Sequence, residues 1–108
     1  ATLLVLAGGA LVATERPAAA GPRAEVLDLA LSAASCAERA GEVADPATLT
    51  VIDYSLPSTE PRLWVIDLQT RAVLFTEHAA HGRGSGETRA ARFSNTPGSN
   101  QTSLGLFV

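Results

Sequence analysis

"LTVIDYSLPSTEPRLWVIDLQTRAVLFTEH", residues 49–78, is the stretch that decides the fold, because it holds three short runs rich in β-branched and aromatic residues. The runs are 49–55, 62–68 and 72–78, and a polar or proline-containing connection separates each from the next. Such a pattern predicts strands joined as a β-meander. The middle run is apolar on both alternating faces, which is typical of a central strand. After a long polar stretch, "LGLFV" at 104–108 predicts a fourth strand of the meander.

The segment before the meander has helical periodicity. Apolar residues recur at helical spacing within 22–40, and they form one stripe: Leu27, Ala30, Leu31, Ala34 and Ala37. Gly41 is suited to end the helix, and Asp45-Pro46 marks a break after it. Residues 21–48 are therefore predicted to be a helix and linker. The whole chain is predicted to be mainly β with an N-terminal helix, an α+β fold.

The N-terminal segment resembles part of a secretory leader. "TLLVLAGGALVA" (2–13) is an apolar run of about a dozen residues, and small residues follow it, as in the apolar and cleavage regions of a signal peptide. Ala18 and Ala20 lie three and one residues before a possible cut ahead of Gly21. The run is too short to span a bilayer, which takes about 20 residues. Residues 1–20 are therefore predicted to be a partial signal peptide, with a buried helix or strand of the domain as the alternative. The protein is expected to be exported to the periplasm or cell envelope and to meet the membrane only through this segment.

Composition narrows the function classes. The chain has 108 residues, 46% of them hydrophobic, and a net charge of −3, which fits one small domain. Residues 79–108 carry three arginines against Glu87, a local charge of +2. This excess is too small for a nucleic-acid partner, which needs a broad basic face. It suits a single carboxylate-bearing substrate, or it belongs to a solvated loop.

"HGRGSGE", residues 81–87, places a histidine and an arginine among three glycines. It does not match G-x-G-x-x-G, and the absence of lysine from the sequence excludes the G-x-x-x-x-G-K-[ST] phosphate loop. A catalytic triad could be composed from Ser85, His81 and either Asp53 or Asp67, but the chain has no G-x-S-x-G motif. Both aspartates lie in strands among apolar residues, which favours structural roles.

Metal and cysteine chemistry receive little support from the sequence. His78 and His81 with Glu77 form a weak metal pattern without an obvious third ligand, so no metal site and no cofactor is predicted. Cys36 is the only cysteine and falls in the C-terminal half of the predicted helix, where the helix dipole disfavours a thiolate. We therefore expect Cys36 to be a small packing residue.

Three blocks of sequence resemble one family. They are "TVIDYSLPSTEPRLWVIDL" (50–68), "AVLFTEHAAHGRGSGE" (72–87) and "RFSNTPGSNQTSLGLF" (92–107). Over residues 49–108 the chain resembles the murein L,D-transpeptidase catalytic-domain-like (YkuD-like) proteins, which are exported bacterial transferases. The resemblance implies a β-rich catalytic domain in which a cysteine thiolate attacks a peptidoglycan stem peptide and forms a thioester. An amine of a second stem, or water, then resolves the thioester.

The resemblance also limits what this chain can do. The family's later H-G segment and its S-x-G-C-P-like motif, which carry the catalytic histidine and cysteine, are not in this sequence. Residues 49–108 are therefore expected to be the truncated N-terminal part of an incomplete catalytic domain, with no catalytic residue and no activity alone. The alternative is a non-catalytic exported module that binds cell-wall peptide.

In either case the loop 81–103 is expected to help build the substrate cleft. Arg83 and Arg92 carry planar donor forks suited to stem-peptide carboxylates. The predicted substrate-binding residues are His81, Arg83, Arg92, Ser94, Asn95 and Ser99. The alternative for these polar residues is that they hold the long loop together.

Overall fold

A computed structural model describes residues 2–7 and 21–107, which form one helix and one mixed sheet. The elements in chain order are β1 (Thr2–Ala7), α1 (Ala24–Arg39), β2 (Thr48–Asp53), β3 (Leu63–Asp67), β4 (Val73–Glu77) and β5 (Gly105–Phe107). The strand order across the sheet is β4-β3-β2-β1-β5. The predicted helix and the antiparallel β2-β3-β4 meander are both present, so the fold is a small α+β fold. The described residues contain no helical segment with the length and hydropathy of a membrane span.

The fourth predicted strand does not belong to the meander, and this part of the prediction is wrong. β5 pairs antiparallel with β1, at the opposite edge of the sheet from β4. β1 in turn pairs parallel with β2, from Thr2 opposite Thr48 to Ala7 opposite Asp53. A parallel neighbour cannot be reached by a hairpin, so periodicity along the chain did not indicate this arrangement.

Half of the predicted leader run lies in the sheet. Residues 2–7 form β1, whereas the proposed cleavage region falls outside the described residues. The signal peptide therefore stays a prediction, and residues 2–7 have the strand conformation that was its alternative.

The core lies between α1 and one face of the sheet. The buried helix residues are Val26, Ala30, Ala34 and Ala37, and they pack against Leu49 and Val51 of β2 and Trp64 and Ile66 of β3. Three of the four helix residues are alanines, which have short side chains and let the helix lie close to the strands. The helix ends in a Schellman turn, because Gly41 has a φ of 75° and the Glu42 N–H donates to the Ala37 carbonyl at 2.9 Å.

The turn between β3 and β4 closes without glycine or asparagine. The Asp67 carboxylate accepts the backbone N–H groups of Gln69 at 2.8 Å and Thr70 at 3.0 Å. The bonds from Thr70 and Gln69 hold the pKa of the Asp67 carboxyl below its ordinary value. Arg71 adopts the left-handed conformation, with a φ of 66°, and the backbone N–H of Asp67 donates to the Ala72 carbonyl at 2.9 Å.

Candidate functional site

The glycine-rich turn and a later stretch of the same loop are fastened to each other. We name residues 81–86 together with 99–102 the clasp. Gly84 donates its N–H to the Asn100 carbonyl at 2.6 Å, and Gly82 donates to the Thr102 hydroxyl at 2.6 Å. Thr102 donates its own N–H to the Ser85 hydroxyl at 2.7 Å. The clasp thus fixes two loop segments that are about 17 residues apart in sequence.

The glycines of the clasp are required by close backbone approach. A Cβ on Gly82 would collide with the Asn100 carbonyl oxygen, and one on Gly84 would lie 2.5 Å from the Ser99 carbonyl oxygen. Gly86 has a φ of 146°, a conformation that L residues rarely adopt. The N–H groups of Gly82 and Gly84 already have protein acceptors, so the turn is shaped for contact with its own chain and does not present a phosphate cradle.

Ser85 anchors the clasp from inside. It is completely buried, and its hydroxyl accepts the Thr102 N–H. Its carbonyl accepts the N–H groups of Ala91 at 2.7 Å and Arg92 at 3.0 Å. Its bonding partners do not include a histidine, so the composed triad is not assembled around Ser85 in the described part of the chain.

Arg62, the residue directly before β3, is the central buried cation of this region and was not singled out by the sequence. Its side chain is 0% exposed. The guanidinium donates to the Ala79 carbonyl at 2.9 and 2.6 Å and to the Leu56 carbonyl at 3.0 Å, and it lies 4.8 Å from the centre of the Tyr54 ring. Burial lowers the pKa of Arg62, and the nearby Tyr54 and Asp53 act in the opposite direction. Its one sequence signal was an arginine directly before an apolar strand.

His81 is held through both ring nitrogens. Nδ1 lies 2.8 Å from the Arg62 Nη2, and Nε2 lies 3.0 Å from the Gly86 carbonyl oxygen. The Tyr54 ring meets the imidazole edge-on, with 6.5 Å between ring centres. In this conformation both ring nitrogens have protein partners, so neither is free to contact a ligand.

Tyr54 joins the end of β2 to the same loop. The buried ring contacts Phe93, with 6.2 Å between centres, and its hydroxyl donates to the Ala80 carbonyl at 3.3 Å. Burial raises the pKa of Tyr54, and the Arg62 charge partly opposes this. These contacts place the loop 81–103 over the end of the sheet where β2 stops and β3 begins.

Asp53, the other triad candidate, has a structural role. Its Oδ2 accepts from Arg23 Nε at 3.2 Å and Nη2 at 3.1 Å. Its Oδ1 accepts the Ser55 N–H at 2.9 Å and the Ser55 hydroxyl at 2.6 Å. Both carboxylate oxygens are therefore occupied, and the pair ties the residue before α1 to the last residue of β2.

The two predicted substrate-binding arginines are exposed, and Arg83 directly precedes Gly84 in sequence. Arg92 donates through Nε to the Gly84 carbonyl at 3.1 Å, and neither of its Nη atoms has a partner among the described residues. Arg83 makes no hydrogen bond or ion pair with any residue in that part of the chain. The site therefore presents guanidinium donors on a backbone that the clasp fixes.

The other predicted residues lie on the later half of the loop. Ser94 accepts the Thr96 N–H at 3.0 Å, and Ser99 accepts the Gln101 N–H at 3.2 Å, so both hydroxyls stabilise local turns. Asn95 is exposed, and the described residues offer its side chain no hydrogen bond. The structure brings Ser94 and Ser99 to the clasp, and the role of all six residues in substrate binding stays a prediction.

Two further features lie away from the loop. Cys36 is exposed on α1, so the expectation that it is a small packing residue is wrong. A cavity of about 290 Å³ lies between α1 and the β3–β4 turn, and none of the predicted site residues lines it.

Within residues 2–7 and 21–107 no three histidine, cysteine, aspartate or glutamate side chains are grouped to hold a metal.

Comparison with known proteins gives one family. A family model described as "L,D-transpeptidase catalytic domain" matches residues 19–108, which is most of the chain and includes α1, the meander and the complete clasp. No curated protein and no solved structure matches the chain at a significant level.

Proposed function

The chain belongs to the L,D-transpeptidase catalytic domain family, and from this premise we propose that its 81–103 loop forms one wall of a cleft that binds peptidoglycan stem peptides. One observation carries the proposal. Arg83, which precedes Gly84, and Arg92, which binds the Gly84 carbonyl, are both exposed, and donors of both lack protein partners among the described residues.

The chemistry of the ligand fits these groups. A stem peptide carries carboxylates, and a guanidinium binds a carboxylate through two parallel N–H···O bonds. A fixed backbone reduces the ordering cost of such contacts, and the clasp supplies this fixed position for Gly84. Asn95, whose amide is exposed, would add one hydrogen bond to the peptide backbone.

In this proposal the acyl transfer itself uses groups outside these 108 residues. The one cysteine, Cys36, lies on α1, and His81 has both ring nitrogens engaged. The full-length protein would form the thioester with a cysteine beyond this sequence, and the 108-residue chain alone would bind peptide without reacting. The alternative is an exported binding module that never carries a nucleophile.

Binding is tested by titrating the chain with a synthetic stem tetrapeptide and measuring Kd by calorimetry. We expect Arg92→Gln or Arg83→Gln to weaken binding about ten- to a hundredfold each, because a charged hydrogen bond contributes about 1.5–3 kcal/mol and about 1.4 kcal/mol is tenfold in Kd. Arg39→Gln, an exposed arginine on α1, is the matched control and should bind as the original chain does. Unchanged binding by the Arg83/Arg92 double variant, or equal binding of a peptide with amidated carboxyl groups, would overturn the proposal.

The absence of chemistry on this chain is tested separately. After incubation with donor peptide, intact mass should show no thioester on Cys36, and Cys36→Ser should bind peptide with unchanged Kd. A peptide adduct on Cys36 would contradict the proposed location of the nucleophile. Transfer activity in a longer protein that contains this chain would favour the enzyme over the binding module.

A further inference from the structure

We propose that Arg62 and His81 form a positioning pair for the peptide-binding loop, in which His81 is held as the neutral Nε2–H tautomer. The inference rests on the proposed function only for the statement that the loop binds peptide. The contacts of Arg62 and His81 stand without it, and of these two residues only His81 is a predicted site residue.

The burial of Arg62 makes its acceptors indispensable. Its side chain is completely buried, and its polar contacts are two backbone carbonyls, Leu56 and Ala79, and the His81 Nδ1 at 2.8 Å. No carboxylate lies within ion-pair distance of it among the described residues. A buried cation without such a partner depends on each neutral acceptor, because an unsatisfied N–H in this place costs its full desolvation energy.

The contact with Arg62 decides the state of the imidazole. A guanidinium has donors only, so Nδ1 must accept and must lack a proton. The ring proton is then on Nε2, which donates to the Gly86 carbonyl at 3.0 Å. Protonation of His81 at Nδ1 would place two donors against each other at Arg62, and a ring turned over would place a C–H group there, so either change would remove the acceptor.

The pair thereby fixes the position of the loop relative to the sheet. Arg62 lies directly before β3, and the Gly86 carbonyl lies at the end of the clasp turn, so the imidazole bridges the start of the strand and the turn that carries Arg83. Arg92 reaches the same turn through the Gly84 carbonyl. Loss of the bridge should loosen the turn and both guanidinium groups together, while the core between α1 and the sheet stays packed.

The tautomer is tested first, on the unmodified chain, by the two-bond ¹H–¹⁵N spectrum of the histidine side chains. We expect a protonated Nε2 and an unprotonated Nδ1 for His81. His78, the other histidine, is exposed and serves as the internal reference for a ring that averages its tautomers. A protonated Nδ1 or an averaged pair of signals from His81 would overturn the assignment.

The positioning role is tested by amide exchange and binding in variants. We expect His81→Ala to speed exchange of the Gly84, Gly82 and Thr102 amides by at least tenfold and to leave the β2–β3 amides unchanged. His81→Asn keeps an acceptor near the Nδ1 position and should restore part of the protection, and His78→Ala should have no effect. Exchange at the original rates in His81→Ala would overturn the positioning role.

The same variants separate this inference from the proposed function. If the unmodified chain does not bind stem peptide but His81 has the expected tautomer and exchange behaviour, the proposed function fails and the positioning pair stands. If the chain binds peptide and His81→Ala changes neither exchange nor Kd, the positioning pair fails and the proposed function stands.

Discussion

At the scale of single residues, the Arg23–Asp53 contact is the clearest link between helix and sheet. Asp53 is completely buried, and the Arg23 side chain is 12% exposed. Arg23 also occupies the position before α1 without capping the helix by its side chain, so its side chain is available for Asp53. One ion pair therefore fixes where the helix starts relative to the end of β2.

Removal of the arginine of this ion pair should lower the stability of the fold. We expect Arg23→Met to lower the free energy of unfolding by about 3 kcal/mol, because it leaves a buried carboxylate without its cation. Urea unfolding followed by the fluorescence of Trp64, the only tryptophan and a buried one, measures the loss. Arg39→Met, on the exposed last turn of α1, is the control and should change stability by no more than about 0.5 kcal/mol. Equal stability of the two variants would contradict the structural role of Arg23.

Tyr54 provides a prediction about pH, and it is the only tyrosine in the chain. Burial is the main cause that raises its pKa, so we expect the absorbance change at 295 nm to have its midpoint above the ordinary value of about 10. A raised pKa in the folded state means that the contribution of Tyr54 to stability is complete below pH 10 and is lost as pH rises through the folded value. The same titration in concentrated urea is the control. A midpoint in the folded chain at or below that in urea would contradict the buried environment.

At the scale of elements, the sequence predicted the helix and strands that have a periodic pattern, and it missed the contacts between segments that are distant in sequence. The helix followed from apolar residues at helical spacing, and the meander followed from short β-rich runs between polar connections. The β3–β4 turn had no standard signal, because Asp67 and Arg71 supply its acceptor and its left-handed residue. The clasp joins residues distant in sequence, so "HGRGSGE" showed that a special backbone was needed but gave no information on its partner.

The clasp makes a prediction about its glycines. Gly84→Ala should cost about 2–3 kcal/mol and speed exchange of the Thr102 amide, because the added Cβ would lie 2.5 Å from the Ser99 carbonyl oxygen and force the two segments apart. Gly98→Ala is the matched control in the same loop. Its Cβ meets nothing within 4 Å, so only its positive φ opposes alanine, at about 1 kcal/mol. If both variants lose the same stability, close approach is not the reason for Gly84.

At the scale of the whole molecule, α1 covers one face of the sheet, and the opposite face is exposed at β4. Trp64 and Ile66 face α1, so Val65 and its partner Phe75 face the other side, where Phe75 is 61% exposed. The sequence had indicated a β3 that is apolar on both faces but could not indicate which layer covers each face. The position of β5 could not be predicted either, because β5 pairs with β1 and the residues of β1 have the composition of a leader.

The two interpretations of residues 2–7 exclude each other in a mature protein, since a cut ahead of Gly21 would remove β1. β1 pairs with six residues of β2 and is the strand that pairs with β5. A ladder of this length contributes several hydrogen bonds of about 1 kcal/mol each, so we expect chain 21–108 to be at least about 2 kcal/mol less stable than chain 1–108. Its amides at 105–107 should also lose protection.

A proline placed in β1 tests the strand without shortening the chain. Val5→Pro should reproduce much of the deletion, because proline removes a ladder bond from a strand with neighbours on both sides. Thr2→Pro, at the first residue of the strand, is the tolerated control. Equal free energies of unfolding for chains 1–108 and 21–108, together with a secreted form whose mass corresponds to a chain starting at Gly21, would establish the leader. They would contradict β1 as part of the mature sheet. If Val5→Pro and chain 21–108 both lose much of the free energy of unfolding and Thr2→Pro does not, residues 2–7 belong to the folded domain.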